Sequence, residues 1–550
     1  MLANFFEWDK FFVSSRSSLI HLTTLLLVVF FNFALFRHFI AAYPLSATHL
    51  LYLASIVLVL AAVTEIILNL ICLGRGTKWA LIIVLLASSL ASYFMDTYNT
   101  VLDATMIGNI FQTDNREAAG LFSGKLVLYL LFLWVLPAFY IYKARVEYKP
   151  LKRELIGTSK LLLVAVLVVF SQVLVFSKFY SSFLREHKEI RVYANPAMYM
   201  YSLFKYVTLA LDNGEQVVAE LGADARIAPS DHHRELVIIV VGETARADRF
   251  SLNGYQRKTN PLLEQEQVYS FHNFQSCGTS TAVSVPCMFS HLGANNFTVK
   301  KGNATENLLD VLKHAGVNVI WRDNNSDSKN VALRVPYEDF SSPKRNPVCD
   351  TECRDVGMLD GLQGYIDNQK DGDIVVVLHQ MGNHGPAYYQ RYPQAFEKFT
   401  PVCHTNLLDE CSEEEITNAY DNAILYTDYF LSQTIQLLKK NSANFETAMI
   451  YISDHGESLG ENGVYLHGMP NFMAPEVQRK VGAIFWFGES YDDINKVALT
   501  KKIDGRYSHD NLFHTVLGLV EINSAVYNKN LDLIDHVEAN HVVSSAIPHN

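Results

Sequence analysis

The sequence predicts a multi-domain protein in which a bundle of five transmembrane helices precedes a soluble α/β domain. Two observations support this division. The first 180 residues contain five apolar segments, each long enough, or nearly so, to cross a hydrocarbon core of about 30 Å as a helix. From residue 235 onward, short apolar, β-rich runs alternate with helical stretches, which is typical of a sheet with helices on both faces.

Four of the apolar segments contain no Asp, Glu, Lys or Arg, and the remaining one contains only Glu65. Because the first segment is long and four more follow it, we expect it to be a retained anchor rather than a signal peptide. For Glu65, a functional role and an interhelical hydrogen bond are equally consistent with the sequence. The segments span residues 17–36, 49–73, 79–95, 126–142 and 161–177.

Basic residues near the segment ends predict the orientation in the membrane. Lys10 and Arg16 precede the first segment, Arg75 and Lys78 follow the second, and six Lys and Arg residues lie between the fourth and fifth. Positively charged residues are enriched on the cytoplasmic side of membranes. The N-terminus is therefore expected in the cytoplasm, and everything after about residue 180 on the opposite side.

The distribution of charge separates the chain in two. Residues 1–230 carry a net charge of +4 and the rest of the chain −15, and such an acidic soluble half argues against nucleic-acid binding. Within the connection, residues 192–211 are aromatic and amphipathic, which fits a helix at the membrane interface and a packed linker helix about equally well. The predicted domains are a transmembrane domain (1–180), connecting helices (181–230) and a soluble domain (231–550).

Six of the seven cysteines lie after residue 270 in closely spaced pairs. Locally paired cysteines are typical of disulfides in an oxidising compartment, in agreement with the predicted orientation. Thiolate ligation of zinc is disfavoured because no pair has the CxxC spacing of a structural zinc site. The predicted disulfides are Cys277–Cys287, Cys349–Cys353 and Cys403–Cys411.

Fully apolar runs predict the strands of the soluble domain. Such runs are typical of parallel strands buried on both faces. Helical stretches at 305–315 and 413–440 lie between them. The predicted strands are contained in ELVIIVVGET (235–244), VNVIWRD (317–323), DIVVVLHQMGNHG (373–385), ETAMIYISDHGES (446–458) and GAIFWFG (482–488).

Three of these strands end in potential metal ligands. Glu243 follows one strand, His384 follows another, and Asp454 with His455 follows a third. Singly, each has an ordinary explanation, such as a helix cap or a turn, and His379 inside its strand is interpreted as structural. Because ligands bind at the carboxyl ends of strands in open α/β sheets, the combination predicts a metal site. A mixed oxygen and nitrogen donor set suits zinc.

The stretch CGTSTAVSVPC (277–287) places four hydroxyl side chains between two cysteines. A hydroxyl bound to Zn²⁺ has a lowered pKa and can attack phosphorus. A disulfide would restrain the loop that presents this hydroxyl and would lower the entropic cost of positioning it. The residues alone leave the choice open between Thr279, Ser280, Thr281 and Ser284.

Together with the five-segment N-terminal half, five motifs resemble those of the lipid A phosphoethanolamine transferases, the family that includes the mobile colistin-resistance enzymes. The resemblance covers essentially the whole chain, and the motifs in combination are highly specific. It implies a soluble domain of the alkaline phosphatase and sulfatase type. The motifs are VGETARADRFSLNGY (241–255), SCGTSTAVSVPCMFS (276–290), WRDNNSDSK (321–329), GNHGPAYYQRYP (382–393) and DHGESLGENGVYLHG (454–468).

The resemblance implies roles for individual residues of the soluble domain. Thr281 matches the nucleophile of the family, and it is implied to hold one zinc ion together with Glu243, Asp454 and His455. The other implied positions bind substrate: Lys329 contacts a substrate phosphate, and two histidines can hold a second zinc or the phosphoryl group. These histidines are His384 and His467.

A further implied substrate site precedes the fourth apolar segment. Asn109, Thr113 and Glu117 are spaced i, i+4, i+8, so on a helix they would share one face. A carboxylate with amide and hydroxyl neighbours can hold the ammonium of ethanolamine, which is the role that the resemblance implies. Without the resemblance, a solvated helix face would be the simpler interpretation.

The resemblance implies that the protein transfers phosphoethanolamine from phosphatidylethanolamine to a phosphate of lipid A through a covalent phospho-threonine. The protein would act as a monomer in the bacterial inner membrane with its catalytic domain in the periplasm, and would confer resistance to polymyxins. The alternatives are a phosphoglycerol transferase of the same architecture, which Glu117 disfavours, and a metal-binding sensor without catalysis. A sulfatase is the less favoured alternative.

Overall fold

The computed structural model describes residues 13–72, 74–113, 118, 120–211, 218–228, 233–491 and 494–535. The chain divides into two units, each described separately below. The first consists of Met1–Asp212 and Asn462–Val464, and the second of Asn213–Glu461 and Tyr465–Asn550.

The first unit is helical, because helices satisfy the backbone polar groups of long apolar runs internally. By length and composition, four of its described helices can cross a membrane, or five if the bent pair α1 and α2 is one span. The helices are α1 (Arg16–Phe30), α2 (Phe33–Ala42), α3 (Ala47–Ile71), α4 (Thr77–Tyr98), α5 (Ala104–Gln112), α6 (Gly124–Lys143), α7 (Leu151–Val175), α8 (Ser177–Glu186), α9 (Lys188–Arg191) and α10 (Ala197–Leu211). Val13–Ser15 pairs with Arg145–Glu147 as two short parallel strands.

The first apolar segment is broken into α1 and α2, which are bent by 49°. Asn32 at the break donates its Nδ2 to the carbonyl oxygens of Leu27 and Asn195, each at 2.9 Å. Asp96 accepts the backbone N–H of Ala34 at 2.9 Å, at the start of α2. The side chains of Asn32 and Asp96 thus make hydrogen bonds to backbone groups on both sides of the break, which apolar periodicity does not reveal.

Glu65 of α3 lies in a polar cluster with α1. Its carboxylate accepts hydrogen bonds from Thr24 Oγ1 and Asn69 Nδ2, both at 2.9 Å, and lies 2.9 Å from His21 Nδ1. The structure therefore contains the interhelical hydrogen bond that was one of the two interpretations of this residue.

A seven-stranded sheet forms the centre of the second unit, in the order β2-β7-β6-β1-β5-β3-β4. Neighbouring strands from β6 through β4 are parallel, whereas β7 is antiparallel to both β6 and β2. The strands are β1 (Glu235–Gly242), β2 (Tyr269–Ser270), β3 (Asn318–Asp323), β4 (Tyr337–Asp339), β5 (Ile374–His379), β6 (Glu446–Ser453) and β7 (Ala483–Phe487).

The prediction that residues 482–488 form a parallel strand is wrong. In the fully described connection 454–482 the chain forms short strands and 3₁₀ turns but no α-helix, so it lacks the crossover that a parallel return requires. The strand therefore returns antiparallel beside β6. A continuous apolar run indicates that a strand is buried on both faces. It does not indicate whether the strand runs parallel or antiparallel to its neighbours.

Helices cover both faces of the sheet. Odd-numbered residues 237–241 of β1 face one apolar core and even-numbered residues 236–240 face the other. Residues of α11, α13 and α17 pack in the first core, and those of α14 and α15 in the second. The helices are α11 (Thr281–Met288), α12 (Val299–Asn303), α13 (Leu308–His314), α14 (Leu362–Asn368), α15 (Glu413–Asn441), α16 (Lys496–Lys502) and α17 (Asp510–Leu519).

Short strands and disulfides complete the second unit. Cys72, in the first unit, is buried and free. The disulfides are Cys277–Cys287, Cys349–Cys353 and Cys403–Cys411. The short strands are Arg226–Ile227, Phe274–Gln275, Ser458–Leu459, Tyr465–Leu466, Lys480–Val481, Tyr507–Ser508 and Ile522–Asn523.

Candidate active site

The register of the central strands brings Glu243, Asp454 and His455 together. Ser453 of β6 pairs with Gly242 of β1, so the residues that follow both strands leave the sheet at the same edge. The backbone N–H of Asp454 donates to the Gly242 carbonyl at 2.9 Å, which extends this pairing by one residue. All three side chains are buried. Two carboxylates and an imidazole therefore meet inside the protein at the carboxyl edge of the sheet.

Thr281, the first residue of α11, contacts this cluster. Its hydroxyl donates to Glu243 Oε2 at 3.2 Å and lies 3.3 Å from His455 Nε2. Among the four hydroxyl side chains of the loop, all within the described part of the chain, only that of Thr281 makes these contacts. Thr281 is therefore the hydroxyl placed to act with the cluster.

The other three hydroxyls of the loop have different environments. Thr279 Oγ1 donates to the carbonyl of Met469 at 2.7 Å. Ser284 Oγ accepts the N–H of Gly278 at 3.0 Å. Ser280 Oγ is buried without a hydrogen-bond partner among the described residues. Two of the three hydroxyls thus stabilise the loop that presents Thr281.

This loop is restrained on several sides. Cys277 is bonded to Cys287 of α11, and its backbone N–H donates to His509 Nδ1 at 3.1 Å. The carbonyl of Thr279 accepts the N–H of Gly468 at 2.7 Å, so the loop is also hydrogen-bonded to the segment that follows His467. Restraints of this kind reduce the entropic cost of holding a reacting hydroxyl in position.

The cluster fits a tetrahedral metal ion. His455 Nε2 lies 3.4 Å from Glu243 Oε1 and 3.4 Å from Asp454 Oδ2. A tetrahedral zinc ion with bonds of about 2.0–2.1 Å separates its ligand atoms by about 3.3–3.4 Å. In addition, Asp454 Oδ2 is buried and has no hydrogen-bond partner among the described residues. A bound cation would satisfy this oxygen, and the donor set of Glu243, Asp454 and His455, with Thr281 as the fourth group, suits zinc.

The electrostatics of the cluster favour the same conclusion. Burial raises the pKa of the Asp454 carboxyl above its ordinary value. Burial, reinforced by the neighbouring His467, holds the pKa of His455 well below its ordinary value. Apolar surroundings disfavour two adjacent carboxylates unless a positive charge compensates them. A divalent cation provides this charge and requires a neutral imidazole, which His455 supplies.

Two more of the predicted residues lie beside the cluster. The ring of His467 is 4.3 Å from that of His455 and 5.4 Å from that of His384, measured between centroids. Glu457, which is buried, lies 3.2 Å from His467 Nδ1 through its Oε1, and orients this imidazole. Burial and the positive charges of His467, Arg391 and Lys329 hold the pKa of His384 well below its ordinary value.

Lys329 is almost buried, with 7% of its side chain exposed. Its Nζ donates to Ser326 Oγ at 2.8 Å and lies 3.3 Å from Asp327 Oδ1. Its charge also acts on His384. Lys329 is therefore a nearly buried cation that the loop after β3 holds in place.

The chain is similar to known proteins in both of its halves. A family model described as Sulfatase matches residues 235–522, and one described as Phosphoethanolamine transferase EptA/EptB matches residues 59–211. Over 506 residues, the chain is 41% identical to the Phosphatidylethanolamine transferase Mcr-1 of Escherichia coli, an alignment that covers 90% of this chain and 92% of the relative. The chain belongs to the phosphoethanolamine transferase family.

Other relatives of this phosphoethanolamine transferase are similar over nearly its whole length. It is 37% identical over 539 residues to the Phosphoethanolamine transferase EptA of Escherichia coli (strain K12), covering 94% of this chain and 97% of the relative. The integral membrane protein lipooligosaccharide phosphoethanolamine transferase A (EptA) from Neisseria meningitidis has a similar structure, with a TM-score of 0.90 and 34% identity, covering 94% and 98% of the two chains. The resemblance inferred from the motifs is confirmed, as is the combination of a transmembrane domain with a domain of the alkaline phosphatase type.

Of the three predicted ethanolamine-binding residues, the structure describes Asn109 and Thr113. Helix α5 ends at Gln112, and Thr113 is its C-cap with an extended backbone. Thr113 nevertheless lies one helical turn beyond Asn109, because its backbone N–H and Oγ1 both donate to the Asn109 carbonyl, at 2.8 and 2.9 Å. The ethanolamine-binding role of these residues stays a prediction. Asn109 Oδ1 is buried without a hydrogen-bond partner among the described residues. Glu117 lies outside the described residues.

Asn325 is a site residue that the sequence did not reveal. Its Nδ2 donates to Glu243 Oε2 at 2.8 Å and to the carbonyl of Gln380 at 2.7 Å. Asp323 accepts the backbone N–H of Asn325 at 2.8 Å and contacts His379 Nδ1 at 2.9 Å. The available signal was its position inside the motif WRDNNSDSK, two residues after the end of β3.

Asn325→Ala should weaken zinc binding by about 10- to 100-fold, because it removes the group that orients the Glu243 carboxylate. Competition for zinc with a chelating dye measures the change in the dissociation constant. Asn296→Ala, which truncates an exposed amide, is the matched control and should bind zinc like the wild type. Equal zinc affinity in Asn325→Ala and the control would contradict an orienting role.

Proposed function

We propose that this transferase moves phosphoethanolamine from phosphatidylethanolamine to a phosphate of lipid A through a covalent phospho-threonine at Thr281. The observation that carries the proposal is the placement of the Thr281 hydroxyl 3.2–3.3 Å from both Glu243 and His455, which lie at the converging ends of β1 and β6. The relatives Mcr-1 and EptA, both named as ethanolamine-group transferases, support the identity of the transferred group.

Zinc is the proposed cofactor, held by Glu243, Asp454 and His455 together with Thr281. When bound, it lowers the pKa of the threonine hydroxyl and offsets negative charge on the transferring phosphoryl group. His384 and His467 line the substrate side in this proposal, where they hold the phosphoryl group or a second zinc. The proposed enzyme holds at least one zinc ion.

In the first half of the reaction, Thr281 Oγ1 forms a bond to phosphorus and the bond from phosphorus to the diacylglycerol oxygen breaks. The hydroxyl of Thr281 gives up its proton, and the departing diacylglycerol oxygen gains one. His384 and His467 are the imidazoles beside the site that can pass this proton, and Glu457 keeps His467 in orientation. The products are diacylglycerol and phosphoethanolamine-threonine.

In the second half, an oxygen of the lipid A phosphate forms a bond to the same phosphorus. The bond to Thr281 Oγ1 breaks and the threonine regains its proton, so the enzyme returns to its starting state. Lys329 is the proposed contact for a substrate phosphate, since its nearly buried ammonium is held by Ser326, the residue next to Asn325 of the site. Addition of an ammonium group to an anionic lipid weakens its attraction for cationic peptides, so resistance to polymyxins is the expected consequence.

The proposed location is the bacterial inner membrane. Residues 1–180 form the membrane domain with a cytoplasmic N-terminus, residues 181–230 connect it, and residues 231–550 form a periplasmic catalytic domain. In the membrane domain, Asn109, Thr113 and Glu117 are proposed to bind the ethanolamine ammonium. The enzyme is proposed to work as a monomer, with no role for nucleic acid.

The donor and the covalent step can be tested together. The purified full-length, zinc-loaded protein is incubated in detergent with phosphatidylethanolamine and no acceptor, and its intact mass is measured. We expect an increase equal to one phosphoethanolamine group. An adduct formed with phosphatidylglycerol but not with phosphatidylethanolamine would overturn the donor, and the absence of any adduct would overturn the covalent mechanism.

A further inference from the structure

A cavity of about 200 Å³ lies beside Lys329, between the end of α11 and the loop that follows β3. Pockets for drug-sized ligands measure about 300–1,000 Å³, so this cavity suits something smaller, such as a single sugar ring. Its walls include Pro286 of α11, Ser290, which follows this helix, and the amides Asn303 and Asn330. Lys329 lines the cavity, and its Nζ donates to Ser326 Oγ at 2.8 Å. The neighbouring Asn325 contacts Glu243 of the active site, so this one loop borders both the cavity and the active site.

The cavity offers hydrogen-bonding groups that the protein itself does not use. Asn330 Nδ2 donates to Asn303 Oδ1 at 3.4 Å, which leaves Asn330 Oδ1 and Asn303 Nδ2 without partners among the described residues. Arg334 uses Nε and Nη2 in two hydrogen bonds to Asp310, at 2.7 and 2.6 Å, and the described residues offer its Nη1 no partner. Amides and an immobilised guanidinium are the groups that bind sugar hydroxyls and phosphate oxygens.

The remaining walls are compatible with a sugar. Leu333 lines the cavity with 68% of its surface exposed and offers an apolar face for the C–H groups of a ring. The carboxylate of Glu306 is engaged by the backbone N–H of Leu221 at 2.9 Å and by His314 Nε2 at 2.8 Å. This carboxylate is therefore held in place by hydrogen bonds within the protein.

The backbone between the cavity and the active site is strained. Lys329 and Asn330 are consecutive non-glycine residues with φ of 47° and 71°, in the left-handed region. The turn is held by Asp327 Oδ1, which accepts the N–H of Lys329 at 2.7 Å, and by the N–H of Val331, which donates to the Ser328 carbonyl at 3.0 Å. Strain of this kind persists where the surroundings enforce it, most often at functional sites. Here the strained turn fixes the positions of the Lys329 and Asn330 side chains, which both line the cavity.

We propose that this cavity binds the phosphorylated amino sugar of the acceptor, with the sugar ring against Asn303, Asn330 and Arg334. The inference rests on the proposed function and names the part of the acceptor that the transferase recognises. Lys329 then contacts the phosphate next to this ring, while the cavity selects a sugar phosphate over free phosphate. The donor does not use the cavity.

The test uses the full-length enzyme in mixed micelles with phosphatidylethanolamine as donor and lipid A as acceptor. Asn330→Gly removes the amide and keeps the left-handed backbone without strain, and Asn303→Ala removes the amide that Asn330 contacts. Losing such hydrogen bonds should raise the KM for lipid A about five- to tenfold in each variant. The rate at which the donor loads Thr281 should change by less than about twofold, because the lost contacts are made only to the acceptor.

Gln267→Gly is the matched control, since Gln267 is an exposed polar residue with φ of 53° that does not line the cavity. Its KM for lipid A should equal that of the wild type. In a second measurement, glucosamine 1-phosphate should inhibit transfer by competing with lipid A, less strongly in Asn330→Gly. Inorganic phosphate should inhibit the wild type and Asn330→Gly equally.

The outcomes separate the two proposals. If the wild type transfers normally and both cavity variants keep its KM for lipid A, the acceptor site is wrong and the proposed function stands. If donor loading falls as much as transfer in Asn330→Gly, the residue acts on the active site itself, and the acceptor site is again wrong. If the wild type is not loaded by phosphatidylethanolamine, the failure is that of the proposed function.

Discussion

Thr281→Ala should abolish the phosphoethanolamine adduct and lower the rate of transfer by at least about 10⁴-fold, as removal of a nucleophile does in other covalent enzymes. No other hydroxyl of the loop, all of which is described, can replace it. Thr279 and Ser284 are engaged in hydrogen bonds of 2.7 and 3.0 Å within the protein, and Ser280 Oγ has no contact with the ligand cluster. The mutation should leave the fold intact, because the methyl group of Ala fits the first position of a helix.

Intact-mass measurement after incubation with the donor, and a transfer assay with lipid A, check this expectation. Thr281→Ser keeps a hydroxyl at the same position and should still form the adduct. Thr500→Ala makes the same chemical change at an exposed residue of α16 and should behave as the wild type. An adduct of normal yield in Thr281→Ala would remove this residue from the role of nucleophile.

Asp454→Asn should reduce the zinc content to below about one-tenth of that of the wild type and lower transfer by about 10³-fold. The change removes the negative charge of a buried oxygen, Asp454 Oδ2, that has no hydrogen-bond partner among the described residues. It preserves the packing, because Asp454 Oδ1 accepts the N–H groups of Thr244 and His455 at 3.2 and 2.7 Å, and the amide oxygen of Asn can accept both. The loss of metal is thereby separated from a loss of structure.

Metal analysis after dialysis measures the zinc content, and thermal unfolding of the metal-free proteins compares their stability. Asp367→Asn is the matched control, since it makes the same change at an exposed carboxylate of α14. Wild-type zinc content in Asp454→Asn would show that Asp454 does not hold the metal. A large loss of stability in the metal-free variant would show instead that Asp454 acts through the fold.

The sequence was most informative where local pattern and structure coincide. The five apolar segments predicted helices, and the apolar runs at 235–244, 373–385 and 446–458 predicted β1, β5 and β6. Because parallel strands end at one edge, the sequence alone predicts that the residues after β1 and β6 meet. Chemistry alone did not select one hydroxyl of the loop, because that choice depends on which side chain reaches the cluster.

Other features depend on contacts between distant residues, and so they escaped prediction. The break between α1 and α2 is stabilised by Asn195 and Asp96, which are far from it in sequence. The direction of β7 depends on the absence of a crossover helix in the described segment 454–482. Asn325 gains its role only because the loop after β3 folds back to Glu243.

The two hydrogen bonds that join Thr279 with Gly468 and Met469 have a consequence for how this enzyme can diverge. They join the loop of Thr281 to the segment after His467, although nearly 190 residues separate the two stretches in the chain. A substitution in one stretch changes the setting in which a substitution in the other is accepted or rejected, because contacting residues do not contribute additively. We therefore expect these two stretches to change together during evolution. Exchanging only one of them between homologues should impair the enzyme more than exchanging both.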